Sequence, residues 1–485
     1  MQKRLGFLWK IHTTTIIFKS MKKFVILLLF VMLGMPAALE ANDEPWLKAE
    51  EILKNISDPV FRDKDYLITR HGAKPGAAYD NTKAINRLIE KCSKQGGGRV
   101  VVPAGEFHTG PITLKSNVNL HLEEGAVLKF SNNPDDYVPF VRTRWEGLDA
   151  INYRPLIYAI NETNIAVTGK GLLDGQADNE SWWWMKEKEE YGWEEGMSSQ
   201  YQTGRPKLME MAEKNLPIEQ RLLQKEDLLR PQFINPVNCT NVLIEGVTIK
   251  RAPFWVLHPM FCENVTIRGV KINSHGPNND GCDPESSKNV LIEDCEFDTG
   301  DDCIAIKSGR NNDGRNNPIP SENIIVRNCY MKAGHGGVVM GSEISAGVRN
   351  VFVENCRMDS PELDRVIRIK TNTVRGGFVD GIYVRNIEVG QCKEAVFRIE
   401  LMYEQRDGDG PFMPRIENVV LENVNSQKSR YGVFIEGRKE DIVVSNIKFI
   451  NCNFNNVEIP TRITGSRNIE FRNVSFTVDE VTTYR

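Results

Sequence analysis

The sequence lacks most of what would commit it to a membrane, to nucleic acid or to a metal. Its main apolar run, Phe24–Leu33, is ten residues long, about half of what a membrane-spanning helix needs. Acidic residues outnumber basic ones, 65 to 61, for a formal charge of −4, so no basic field exists to hold a polyphosphate. Ten cysteines in 485 residues are too dilute for a small disulfide scaffold. There is no His-Glu-x-x-His, no Cys-x-x-Cys and no phosphate-cradling glycine loop, which leaves metal and nucleotide chemistry without a motif. Glycine and proline, 38 and 23 residues, fall far short of collagen-like or low-complexity composition. What remains is a large globular chain.

The short apolar run is best understood as an address. Lys22 and Lys23 precede it, and small residues follow at Pro36-Ala-Ala38 and Ala41, the order of a secretory signal. Residues 1–41 are therefore expected to be removed on export, with Met21 as an alternative start. Residues 42–60 read as a linker and residues 61–485 as one domain. Export implies a periplasmic or extracellular protein, with no membrane anchor once the signal is gone. The mature chain would carry a net charge of −9, so affinity for an acidic ligand must come from local cations.

From residue 164 onward one phrase keeps returning: Asn, then alternating β-branched and polar residues, then a polar corner. Asn241-Val-Leu-Ile-Glu-Gly, Asn264-Val-Thr-Ile-Arg-Gly, Asn289-Val-Leu-Ile-Glu-Asp, Asn323-Ile-Ile-Val-Arg-Asn and Asn350-Val-Phe-Val-Glu-Asn are instances. Period-two alternation predicts strands, and starts spaced by 23, 25, 34 and 27 residues predict coils too small to bury an apolar face alone. An all-β, parallel β-helix solenoid follows. The repeated Asn reads as a corner ladder tolerant of left-handed backbone. Cys295, Cys329, Cys356 and Cys452 share one slot and read as small fillers of an inward stack. A helix over Asp80–Cys92, with Ala84, Ile85, Leu88, Ile89 and Cys92 on one stripe and Asp80 as N-cap, would cap the open end. Between residues 171 and 231 the repeat lapses into an insertion with Trp182-Trp-Trp184, whose rings are expected to pack the insertion rather than meet a ligand.

The chemistry is expected where acids fall at coil-sized intervals. Asp280 and Asp302 are 22 residues apart, which would stack them on adjacent rungs about 4.8 Å apart. Asp301 adds a third acid, and like charges so close raise at least one pKa, as a proton donor requires. His335 follows Asp302 by 33 residues, Arg368 follows His335 by 33, and Tyr403 follows Lys370 by 33. Successive rungs would then present acids, an imidazole, a pair of cations and a phenol. Two carboxyl groups can hydrolyse a glycosidic bond, though the spacing alone does not say which is the acid. Arg368 and Lys370, facing the same way on a strand, suit an anionic substrate. Trp255 and His258 read as packing near this site.

These segments resemble the markers of the polygalacturonase family of glycoside hydrolases: Asn278-Asn-Asp280, Gly300-Asp-Asp302, Gly334-His-Gly336 and Arg368-Ile-Lys370 occur in the family's order. Asn279 replaces the family's Thr. The resemblance implies a right-handed parallel β-helix and inverting hydrolysis of α-1,4-linked galacturonic acid in pectic polysaccharides or oligosaccharides. It implies Asp301 as general acid, Asp280 and Asp302 as bases on the attacking water, and His335 in support of the acid. Asn278, Arg368, Lys370 and Tyr403 would bind substrate, with no cofactor and no metal. The long insertion resembles that of bacterial exo-acting members. A rhamnogalacturonan or xylogalacturonan hydrolase, a β-helix lyase and a non-catalytic carbohydrate-binding β-helix are the alternatives.

Overall fold

A computed structural model describes residues 44–404 and 410–479; the expected signal segment lies outside the described residues. The chain divides into two compact units at Glu50 and Glu51. Where a linker was expected, Glu44–Asn55 forms a helix. The apolar residues Trp46, Leu47, Ala49, Ile52 and Leu53 recur at helical spacing there. Among the described residues no helix is long and apolar enough to cross a membrane.

From Asp65 the second unit is a right-handed parallel β-helix. One column of strands runs from Gly98–Val102 through Thr240–Glu245, Glu263–Arg268, Lys288–Glu293, Ser321–Arg327 and Val348–Glu354 to Ser466–Arg472. Its register pairs Val242 with Val265, Val290, Ile324 and Val351 in turn, so the coil lengths read from the Asn spacing hold to the residue. Alternate residues of these strands enter one continuous core, including Val265, Ile267, Val290 and Ile292, all fully buried.

The corner asparagines form the expected ladder. Asn241 donates to Asn164 at 2.9 Å, Asn264 to Asn241 at 3.2 Å, Asn289 to Asn264 at 3.3 Å, Asn323 to Asn289 at 3.0 Å and Asn350 to Asn323 at 3.0 Å. Each sits at a φ between 55° and 58°, a left-handed conformation that asparagine tolerates better than most side chains. All ten cysteines are free and buried. Cys295, Cys329 and Cys356 lie next to one another on consecutive coils, fillers rather than staples.

The first coil is capped by the helix Thr82–Lys94, which buries Ile85, Leu88, Ile89 and Cys92 and ends at glycines with positive φ. The N-cap position belongs to Asn81 rather than Asp80. Asp80 still accepts from the Thr82 amide at 2.9 Å, so the helix start is one residue later than the acid suggested. Leu172–Asp174 remains in the solenoid, pairing with Ala126–Phe130 and Thr248–Lys250, and the insertion departs after it. It contains the helix Gly204–Glu213 and short 3-10 turns, among them Trp183–Lys186. Trp182 is fully buried edge-on against Tyr137 and Tyr153, and Trp183 donates to the Ala252 carbonyl at 2.9 Å. The tryptophans pack the insertion onto the coils, as expected.

Candidate active site

Another column of strands carries the chemistry. It passes from Ile234–Val237 through bridges at Leu257 and Cys282 to Ile304–Ile306, Val338–Gly341, Arg365–Lys370 and Ala395–Glu400. Cys282 faces Ile304, and the Gly281 amide donates to the Asp302 carbonyl at 2.9 Å. The 22-residue step therefore stacks Asp280 against Asp302. One carboxylate oxygen from each of Asp280, Asp301 and Asp302 lies within 4.8 Å of the others.

The next step is 34 residues, not 33, because Ile304 faces Val338. His335 consequently stands beside Asp301 rather than Asp302, its Nδ1 3.0 Å from Asp301 Oδ1. Arg368 faces Val339 and Lys370 faces Gly341; Lys370 in turn faces Glu400. Tyr403 lies beyond that strand, so it is not the rung partner the interval suggested. Its ring still reaches the site, with Lys370 Nζ 5.0 Å and the Arg368 guanidinium 5.3 Å from its centroid. The glycines around His335 let its coil lie close against the preceding one. A Cβ on Gly334 would meet the Asp301 carbonyl at 2.5 Å, and one on Gly336 would stand 3.2 Å from Asp302 Oδ1.

The acids differ in access. The side chain of Asp302 is 0% exposed and that of Asp280 4%, whereas Asp301 is 16% exposed beside a His335 that is 53% exposed. Burial would raise the Asp301 carboxyl, but the His335 imidazolium outweighs it and holds Asp301 well below the usual carboxylate range. Reciprocally, Asp301 pushes His335 up to about 9. Asp280 is pushed up to about 8, by burial first and then by the charge of Asp301, against the pull of Lys307. In the free protein the pair Asp301–His335 thus holds one proton on the imidazole, and burial raises the neighbouring carboxyls of Asp280 and Asp283 together, so that this pair holds another. Asp302 is paired with Lys370 Nζ at 2.7 Å. Asp280 Oδ1 and Asp302 Oδ1 are buried with no hydrogen-bond partner among the described residues.

Three acids so close resemble a cation site, yet their surroundings are already cationic. Beside Lys370 and His335 stands Lys307, a residue the sequence reasoning passed over. Its buried ammonium lies 3.5 Å from Asp280, 3.5 Å from Asp283 and 3.3 Å from Glu343, over the Trp255 ring at 4.5 Å. The signal was available: a lysine directly after the fully buried Ile304-Ala-Ile306 stands against the pattern of a solvated face. Trp255 stacks on Phe254, and His258 bonds Glu285 at 2.8 Å, packing roles as expected. Of the remaining residues, Arg368 is bound to Glu400 at 2.9 Å. Asn278 accepts from Lys186 at 2.7 Å and from the buried Arg230 at 2.9 Å.

Comparisons with known proteins place the chain in a family. Residues 220–429 match the model of glycosyl hydrolases family 28. A hyperthermoactive exopolygalacturonase from Thermotoga maritima, of known crystal structure, is 41% identical, with a TM-score of 0.85 over 90% of this chain and 96% of that one. This chain belongs to family 28 of the glycosyl hydrolases. The family member is also 27% identical to the exo-poly-alpha-D-galacturonosidase of Dickeya chrysanthemi, over 84% of this chain and 70% of that one. A probable polygalacturonase of Vitis vinifera is 29% identical, over 76% and 70%. The protein is a glycoside hydrolase.

Proposed function

We propose that the protein hydrolyses α-1,4-linked galacturonic acid from the end of pectic chains, with Asp301 as the acid. The observation that carries this is the convergence of three carboxylates of which only Asp301 reaches solvent, paired with a protonated His335. A general acid must touch the leaving oxygen of a polymer that does not enter the core. At rest the proton of the pair sits on His335. A bound uronate adds negative charge and excludes water, which favours moving that proton to Asp301 and then to the departing oxygen. Water held by Asp280 Oδ1 and Asp302 Oδ1 is the nucleophile, and one of these two carboxylates takes its proton. The nearby cations Lys186, Arg368 and Lys370 suit the carboxylates of successive sugars.

Exo action is supported by the insertion, which brings Lys186 against Asn278, and by the names borne by two relatives. A long polygalacturonate should release monomer from the first minutes; an early ladder of mixed oligomers would sink the exo reading. One observation favours a second stereochemistry. Carboxylate oxygens within 4.8 Å are closer than the roughly 6.5–9.5 Å usual for inverting enzymes, and direct attack by Asp280 or Asp302 would retain configuration. Proton NMR of the first product anomer decides between them, with the inverted anomer expected. Export follows from the basic, apolar and small-residue order of residues 22–41. N-terminal sequencing of protein recovered outside the cytoplasm should begin near residue 42.

A further inference from the structure

The two cations that the marker segment supplies each already hold one carboxylate of the protein. Arg368 is bound to Glu400 at 2.9 Å, and Lys370 to Asp302 at 2.7 Å. A third cation arrives from the insertion, where no repeat could reveal it. Trp183 lies so close to Gly276 that a Cβ there would meet its indole at 2.3 Å. With the Trp183–Ala252 bond at 2.9 Å, this clamps the turn Trp183–Lys186 onto the segment leading to Asn278. Lys186, at the end of that turn, donates to Asn278 Oδ1 at 2.7 Å and sits 5.1 Å over the Tyr201 ring. Among the described residues no carboxylate lies within ion-pairing distance of its ammonium. Lys186 is half-buried, and its charge acts on Asp301.

The order along the solenoid fixes the side of the cleft. Asn278 and Asp280 precede Asp302 by one coil, and Arg368 and Lys370 follow it. Lys186 therefore stands on the opposite side of the acids from the paired cations, under the insertion.

Resting on the hydrolytic reading above, we propose that Lys186 binds the carboxylate of the terminal galacturonate, and is the specificity residue that the insertion contributes. The test uses the wild type, Lys186→Met and Lys186→Arg on galacturonate trimer. A trimer methyl-esterified on its terminal sugar serves in parallel, as substrate or competitive inhibitor. A charged hydrogen bond implies that Lys186→Met raises KM for the acid trimer about 10- to 100-fold, with kcat changed far less. Lys186→Arg should recover part of this, and the ester should bind both proteins alike. An unchanged KM, or equal losses for acid and ester, overturns the proposal by making Lys186 a prop for Asn278. If the wild type cleaves no galacturonate at all, the hydrolytic reading falls first and takes this inference with it.

Discussion

Two columns of polar side chains run along the same coils and do opposite things. On the corner column each Asn amide from Asn264 to Asn350 donates to the one a coil earlier, so that Asn241 to Asn323 each accept in turn and the series is unbroken. On the site column the same stacking sets Asp280 against Asp302 and leaves an oxygen of each without a donor. A parallel coil repeats whatever occupies a slot about 4.8 Å further on. An amide is its own complement at that distance; a carboxylate repels its copy. The largest expected effect tests this contrast directly. Asp301→Asn should lower kcat about 10²- to 10⁴-fold while circular dichroism shows the fold kept, even with the stabilising pair to His335 lost. An active Asp301→Asn protein would turn the acid cluster into mere structure.

The cluster survives because buried cations offset it, and Lys307 is the one on which several acids depend. Lys307→Met would leave Asp280, Asp283 and Glu343 without their shared ammonium. Stripping one partner from a buried ion pair costs about 3–5 kcal/mol, and denaturant unfolding should show a loss of that size together with lost activity. A variant as stable as the parent would mean that the acids take up protons instead.

The two columns were not equally legible. The ladder could be read to the residue because each coil restates Asn in one slot, and the register follows from counting. Asp280 and Asp302 were legible for the same reason. His335 was placed one residue off, because a loop lengthens that coil to 34 residues and spacing cannot show where a loop adds its residue. Tyr403 was assigned to a rung that Glu400 occupies. Lys186 was invisible, since it reaches the site from an insertion with no register at all. The helix Glu44–Asn55 was missed where composition suggested only a linker.

The proton held by the site column should appear in its pH profile. His335 is raised from 6.5 to about 9 and Asp280 to about 8. Since kcat/KM reports the free enzyme, it should hold through neutrality and fall about tenfold per unit once both protons are lost, above about 9. His335→Asn removes the imidazolium and should move that limb down by about one unit or more. A His335 pKa raised on folding and an Asp301 pKa lowered on folding mean that the pair stabilises the fold fully between the usual carboxylate range and about pH 6.5, and that this contribution fades as pH rises through about 9 and again in acid as Asp301 takes up a proton. A limb unmoved in His335→Asn would separate the imidazole from the acid's proton.

The ladder should answer with stability alone, and by amounts that depend on position along it. Asn289 has neighbours on both sides, at 3.3 and 3.0 Å, and a φ of 56°. Asn289→Ala loses both bonds and forces an alanine into left-handed backbone, so a cost of about 1–3 kcal/mol is expected. Asn289→Gly keeps the conformation easy and isolates the hydrogen-bond part, which should be the smaller share. Near the C-terminal end of the same column Asn468, exposed at a φ of 55°, donates to Asn446 at 2.6 Å, and water can replace that bond. Asn468→Gly should therefore cost a few tenths of a kcal/mol at most. Equal losses at Asn289 and Asn468 would mean that the ladder matters through backbone shape rather than through its continuity, and activity should stay unchanged in all three variants.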